Sequence, residues 1–185
     1  MDPLVDFIKI YDNALDKSIC DILIQVFENN NIHQEVVENE RKPNFKQLNL
    51  TRLNNISDDF ANIHQSVLKV VLDYKKKYYD FVYKECFPST NAFEQIRIKK
   101  YEPNKNEAFD THVDVNDHET SRRFLSFIFY LNDVNDGGET VFKDLTIEPR
   151  QGRLIMFPPL WMFPHCGKEP LSNSKYILST YLHYK

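Results

Sequence analysis

Residues 122–133 read RRFLSFIFYLND, a run of strand length, dense in aromatic side chains and free of glycine and proline. It reads as a β-strand, and the same extended pattern recurs on both sides of it. Upstream lies AFEQIRIKKY (92–101). Downstream come ETVFKD (139–144), LTIEPRQ (145–151), GRLIMFP (152–158) and KYILSTYLHY (175–184). The four glycines, Gly137, Gly138, Gly152 and Gly167, all fall at breaks in this half, which predicts tight turns. Before Pro88 the period is helical instead. In 57–85, Phe60, Ile63, Val67, Val70, Val71, Tyr74 and Tyr78 recur at three and four, and this is the strongest helix signal in the chain. A second helix is predicted in 15–30 with Asp16 as its N-cap, after a first strand in 6–15. Residues 30–48 are polar and aperiodic and predict a loop. The expected architecture is mainly β, a sheet or barrel buttressed by N-terminal helices.

Composition narrows the function. The 185 residues suffice for one domain with a real core, at 42% hydrophobic and 27% charged. A net charge of −4 argues against nucleic acid as a partner, and YKKKYY (74–79) reads as a solvated helix face. The opening MDPLVDFIKIYDN lacks the basic and apolar regions of a signal peptide, and no apolar run reaches the ~18 residues of a membrane span. Cys20, Cys86 and Cys166 form neither a zinc pattern nor a disulfide framework. No membrane association and a cytoplasmic, reducing location are therefore expected.

The chemistry is suggested by DTHVDVND (110–117). Residues two apart on a strand share a face, so His112 and Asp114 can converge on one ion. Two histidines and one carboxylate make the facial set that leaves iron positions open. His165, delivered by the strand-like run before it, is the best third ligand. His118 lies in a polar turn, His183 near the C-terminus, His33 in the polar loop and His64 on the long helix. Lys175, ten residues after His165, enters an apolar strand, where a lone cation is expensive without an anion. A dicarboxylate co-substrate would be such an anion. GGETVF (137–142) lies between the two arms.

Together THVD, RFLSFIFYLND, GGETVF, IEPRQGRLIMFP, PHCG and KYILSTYL resemble the 2-oxoglutarate- and Fe(II)-dependent dioxygenases of the prolyl 4-hydroxylase type, over residues 94–184. The resemblance implies a double-stranded β-helix, a jelly-roll barrel over 91–185 supported by a helical 1–90, as one domain. It implies His112, Asp114 and His165 as iron ligands and Lys175 as partner of the far carboxylate of 2-oxoglutarate. Tyr130, Tyr101 and Ser126 match co-substrate positions. Arg123 and Tyr181 match substrate-side positions, the latter where relatives often carry tryptophan, and Phe109 replaces a common tyrosine. Alternation puts Arg123 on the face opposite Ser126 unless a bulge re-aims it. The implied reaction consumes 2-oxoglutarate and dioxygen, releases succinate and carbon dioxide, and hydroxylates an exposed peptidyl proline, with ascorbate as reductant. In that picture 30–48 would close over the peptide. The single catalytic domain looks like bacterial, viral or algal members, and a viral member would place the expected cytoplasmic location in the host cytoplasm. Rivals are the same chemistry on another residue or a small molecule, a zinc hydrolase, and a non-catalytic binding barrel.

Overall fold

The computed structural model describes residues 3–38 and 43–185. Two long helices lie in the N-terminal half of the chain. Helix α1 (Lys17–Asn29) starts after Asp16, which is extended at φ −60°, ψ 140° but makes no side-chain capping bond. Helix α3 (Asp58–Phe81) follows a short α2 (Leu50–Leu53) and is capped by Ser57, whose hydroxyl accepts the Phe60 N–H. α1 buries Cys20, Leu23, Val26 and Phe27, and α3 buries His64, Val67, Val71 and Tyr78, each at helical spacing. His64 meets the Thr51 hydroxyl at 3.3 Å and is a packed histidine of the helical layer.

The strands are β1 (Lys9–Tyr11), β2 (Gln34–Val37), β3 (Phe45–Asn49), β4 (Asn91–Phe93), β5 (Arg97–Tyr101), β6 (Phe109–His112), β7 (Arg123–Tyr130), β8 (Thr140–Phe142), β9 (Leu145–Ile147), β10 (Leu154–Phe157), β11 (His165–Gly167) and β12 (Lys175–Tyr184). They form two antiparallel sheets. The larger runs β1-β10-β7-β12-β5-β3-β2, with β4 also on β12, and the smaller runs β6-β11-β8-β9. This is the double-stranded β-helix that the family resemblance implies.

The aromatic run 122–133 shows why the pattern reads as nearly continuous hydrophobicity. Both faces of β7 are covered. Leu125, Phe127 and Phe129 pack with Leu154, Met156, Leu178 and the helices in one core. Tyr130 and Ile128 face the space between the sheets, with Tyr101, Phe142, Ile155, Phe157 and Ile177. The second core is therefore the barrel interior.

Several expectations need correction. Residues 30–48 are not a loop: a 3-10 turn (Asn31–His33) leads into the hairpin β2–β3, which extends the large sheet past β5. Residues 39–42 of that stretch lie outside the described residues. The segment 1–90 is more than helical support, since it supplies β1, β2 and β3 to the sheet. The first strand is short, because Pro3–Phe7 forms a 3-10 turn before it. Gly137, Gly138 and Gly152 do occupy positive-φ turns, but Gly167 lies inside β11, where its backbone pairs with Thr140 and Phe109.

Candidate active site

Antiparallel pairing creates the metal-binding geometry. β6 ends at His112 and β11 begins at His165, and these two residues are direct cross-strand partners. Asp114 follows two residues after β6 ends. His112 Nε2 lies 3.5 Å from Asp114 Oδ1, and His165 Nε2 lies 3.9 Å from Oδ2. One ligand atom from each of the three residues falls within 4.8 Å of the others, the one such group of His, Cys, Asp or Glu among the described residues. His112 Nδ1 meets the Asp110 carbonyl at 2.7 Å, and His165 Nδ1 meets the Phe163 carbonyl at 3.1 Å. A carbonyl only accepts, so both rings carry their proton on Nδ1 and aim a bare Nε2 at the centre. His165 is buried, and Phe109 stacks on His112 with ring centroids 3.7 Å apart.

The charges fit a cation. Burial pushes the His165 pKa down, Asp114 opposing, so the ring stays neutral and able to ligate. Burial pushes Asp114 up, but the neighbouring His112 and His165 imidazoles and the Tyr181 hydroxyl outweigh it, leaving the carboxyl below its ordinary value. Tyr181 donates to Asp114 Oδ1 at 2.9 Å, while the buried Oδ2 has no hydrogen-bond partner. An orphaned carboxylate oxygen in an apolar surround is costly unless something positive occupies the space before it. Two imidazole nitrogens and one carboxylate suit a borderline transition-metal dication such as Fe(II).

A narrow cavity runs from the triad into the barrel. At its inner end Lys175 is 3% exposed. Its Nζ donates to the Gly138 carbonyl at 3.1 Å and the Lys168 carbonyl at 3.3 Å, and sits 4.5 Å from the Tyr101 ring centroid. Burial lowers its pKa to about 8, with Glu139 and then Cys166 opposing. Gly138 has φ +77°, and a Cβ there would lie 3.3 Å from the lysine Cδ, so the double glycine gives both the turn and the room beside Lys175.

The other predicted residues divide. Tyr101 lies opposite Lys175 on the neighbouring strand and lines the cavity. The long connection from Tyr101 to His112 is absorbed by a turn with Asn104 and Asn106 at positive φ. Tyr130 lines the cavity too, its hydroxyl donating to Thr140 Oγ1 at 2.6 Å. Ser126 shares their strand face but does not line the cavity, and its buried hydroxyl has no partner. Thr140 and Ser179 supply the hydroxyls there instead. A register irregularity between Leu182 and His183 on β12 pairs Leu125 and then Arg123, skipping Phe124, and so re-aims Arg123. Its guanidinium grips Glu94 at 2.7 and 3.0 Å, donates to the Asp114 carbonyl at 3.0 Å and lies 4.2 Å from the Tyr181 ring centroid. Sequence reasoning missed Glu94, Thr140, Ser179 and Lys99. Lys99 was findable, since period two from Tyr101 puts it on the cavity face.

Comparison with known proteins agrees with this geometry. Residues 96–183 match the model of the 2OG-Fe(II) oxygenase superfamily. The chain is 24% identical over 186 aligned positions to the probable prolyl 4-hydroxylase 3 of Arabidopsis thaliana, covering 88% of this chain and 61% of that longer protein. Among solved structures, it resembles the viral collagen prolyl hydroxylase of Paramecium Bursaria Chlorella virus-1 in its 2OG complex, at TM-score 0.74 and 19% identity over 97% of both chains. It also resembles a Trichoplax adhaerens prolyl hydroxylase in complex with a hypoxia inducible factor oxygen degradation domain peptide fragment. There the TM-score is 0.76 and the identity 15%, over 96% of this chain and 83% of that one.

Proposed function

We propose, from the match of residues 96–183 to the 2OG-Fe(II) oxygenase superfamily, that this protein is a 2-oxoglutarate- and Fe(II)-dependent dioxygenase acting on peptidyl proline. The observation that carries the proposal is one cavity with the His112–Asp114–His165 triad at one end and a buried Lys175 at the other. Among the described residues Lys175 has no carboxylate hydrogen-bonded to it, only carbonyls.

An Fe(II) held by His112, Asp114 and His165 would supply the oxidising chemistry, coupling the breakdown of 2-oxoglutarate and dioxygen to succinate and carbon dioxide with insertion of one oxygen atom into a C–H bond. This chain's side chains do the rest. His112 and His165 offer neutral Nε2 lone pairs, held in that tautomer by the Asp110 and Phe163 carbonyls. Lys175 pairs with the far carboxylate of the co-substrate, beside the Tyr101 ring and the Tyr130–Thr140 hydroxyl pair. Phe109, Ile128 and Ile177 line the cavity and exclude water. Arg123 and Tyr181 brace Asp114 through its carbonyl and carboxylate. Support for a proline substrate is the kinship with prolyl 4-hydroxylases. The retained carboxylate ligand favours hydroxylation over halogenation, because a carboxylate fills the position that a halide would need.

The test is incubation with Fe(II), 2-oxoglutarate, ascorbate and a panel of proline-rich peptides in air, reading succinate and peptide mass. Succinate together with one added oxygen on a proline is expected. Oxidation confined to another residue type or to a free amino acid would overturn the proline assignment. No 2-oxoglutarate consumption would overturn the dioxygenase itself.

A further inference from the structure

We propose that Lys99 is a second carboxylate anchor in the same cavity, holding the end of a dicarboxylate nearer His112, Asp114 and His165 while Lys175 holds the other end. The inference rests on the dioxygenase reading above and assigns a role to a residue that reading leaves unused. Lys99 lies on β5 opposite Ile177, two strand positions from the Tyr101–Lys175 pair, and both lysines line the cavity. A diagonal neighbour of this kind in an antiparallel pair is about 7–8 Å away. Four C–C bonds of ~1.5 Å give an extended five-carbon dicarboxylate a reach of about 5 Å between its end carbons. Two lysine side chains rooted at that backbone spacing can each bring an ammonium group to one end, through a charge-assisted hydrogen bond of about 2.8 Å.

Three further observations point the same way. Asp114 is the one carboxylate among the residues lining the cavity, and it is engaged by the two histidines and Tyr181. Lys99 makes no hydrogen bond and no ion pair among the described residues, and its Nζ stands 5.1 Å from the buried Phe45 ring centroid. Its neighbour Lys100, on the opposite face, pairs with Glu28 at 2.9 Å and Glu102 at 2.7 Å, so the outward lysine has two carboxylates and the inward one has none. Finally, the fields of the two cavity lysines reach different ends. Lys99 interacts electrostatically with Asp114 and His165, whereas Lys175 interacts with Glu139 and Cys166. Burial depresses the Lys99 amine to about 8, Asp114 opposing, as expected of a cation waiting for an anion. A dication at the triad would repel Lys99 further, and an anion between them relieves both charges.

The experiment is calorimetric binding to the metal-loaded protein without oxygen, using 2-oxoglutarate and 2-oxovalerate, which lacks the far carboxylate. Lys99→Met and Lys175→Met are compared with the wild type, and Lys99→Gln is measured alongside in case the methionine variant does not fold. Loss of the Lys99 charge is expected to weaken both ligands about tenfold or more, because both carry the near carboxylate. Lys175→Met is expected to weaken 2-oxoglutarate alone. Unchanged affinity for both ligands in the Lys99 variants would overturn the proposal. So would weakened binding of acidic peptides with the small ligands unaffected, which would place Lys99 on the substrate instead. If the wild type binds neither small ligand, the dioxygenase reading fails first.

Discussion

Asp114 has one oxygen bonded to Tyr181 and the other buried and bare, and this asymmetry sets its direction. The tyrosine fixes the carboxylate so that Oδ2 faces the space shared with His165 Nε2. Tyr181→Phe keeps the ring that lies against Arg123 and removes only the hydroxyl. Metal affinity should fall about 10- to 100-fold, the usual cost of losing a ligand's hydrogen-bond partner. A metal titration reads it, and an unchanged affinity would make the bond incidental. Lys175 carries a pH dependence. Its folded value of about 8 lies below the unfolded 10.5, so the charged amine costs stability below pH 8, and that cost is relieved as pH rises from about 8 to 10.5. Co-substrate binding runs the other way, because the anion needs the protonated amine. Affinity for 2-oxoglutarate should drop as pH climbs through 8, by at most about tenfold per pH unit for one proton. Lys175→Arg stays charged and should flatten that residue's part of the fall. Titrations on either side of pH 8 check this, and a drop undiminished in the arginine variant would assign it elsewhere. As candidates, His112 with Asp114 and His165 with Lys175 were legible in the sequence because each pair sits at a short spacing, two and ten residues apart, while the separation of 51 positions between the pairs carries no local signal. The Tyr181–Asp114 bond spans 67 positions, and no local pattern encodes it.

Among the elements, β12 organises the site. It pairs with β5, β7 and β4, and its residues Lys175, Ile177, Ser179 and Tyr181 all line the cavity, while Leu178 and Leu182 pack toward the helices. Its apolar alternation and length made it readable from sequence. The hairpin β2–β3 was not readable, because β2 is an edge strand with Glu35 and Val36 exposed, so burial leaves no period-two signal in it. The bulge that turns Arg123 was likewise silent, since it depends on how β7 meets β12. The turn before β8 can be tested directly. Gly137 has φ +73°, and a Cβ there would run into the Glu169 carbonyl. Gly137→Ala should destabilise the protein by roughly 1–3 kcal/mol, read as a lower denaturation midpoint. It should also weaken 2-oxoglutarate binding, because the adjacent Gly138 carbonyl accepts from Lys175. A fully stable alanine variant would contradict the close approach.

At the scale of the whole molecule, the metal centre joins parts of the chain far apart in sequence. His112 closes β6 and Asp114 lies two residues beyond it, His165 opens β11, and Tyr181 comes from the other sheet. A cation bound there ties the two sheets together, and binding to the folded state alone stabilises it. At a free metal concentration about 100 times Kd the gain is about 2.7 kcal/mol. Melting temperature should rise with added Fe(II) or Co(II) and fall with chelator, and His165→Ala should fold yet lose the response. A metal-independent Tm in the wild type would count against the triad. The strand β12 has a last consequence. Successive cavity-facing residues stand at multiples of a fixed rise, about 6.5 Å per two residues, so the strand acts as a ruler set between the metal end and Lys175. A rigid ruler measures length. Oxaloacetate, shorter by one methylene, and 2-oxoadipate, longer by one, present the same charged ends at the wrong separation. Each should bind about 10- to 200-fold more weakly than 2-oxoglutarate, and equal affinity for all three would show that the barrel yields to its ligand.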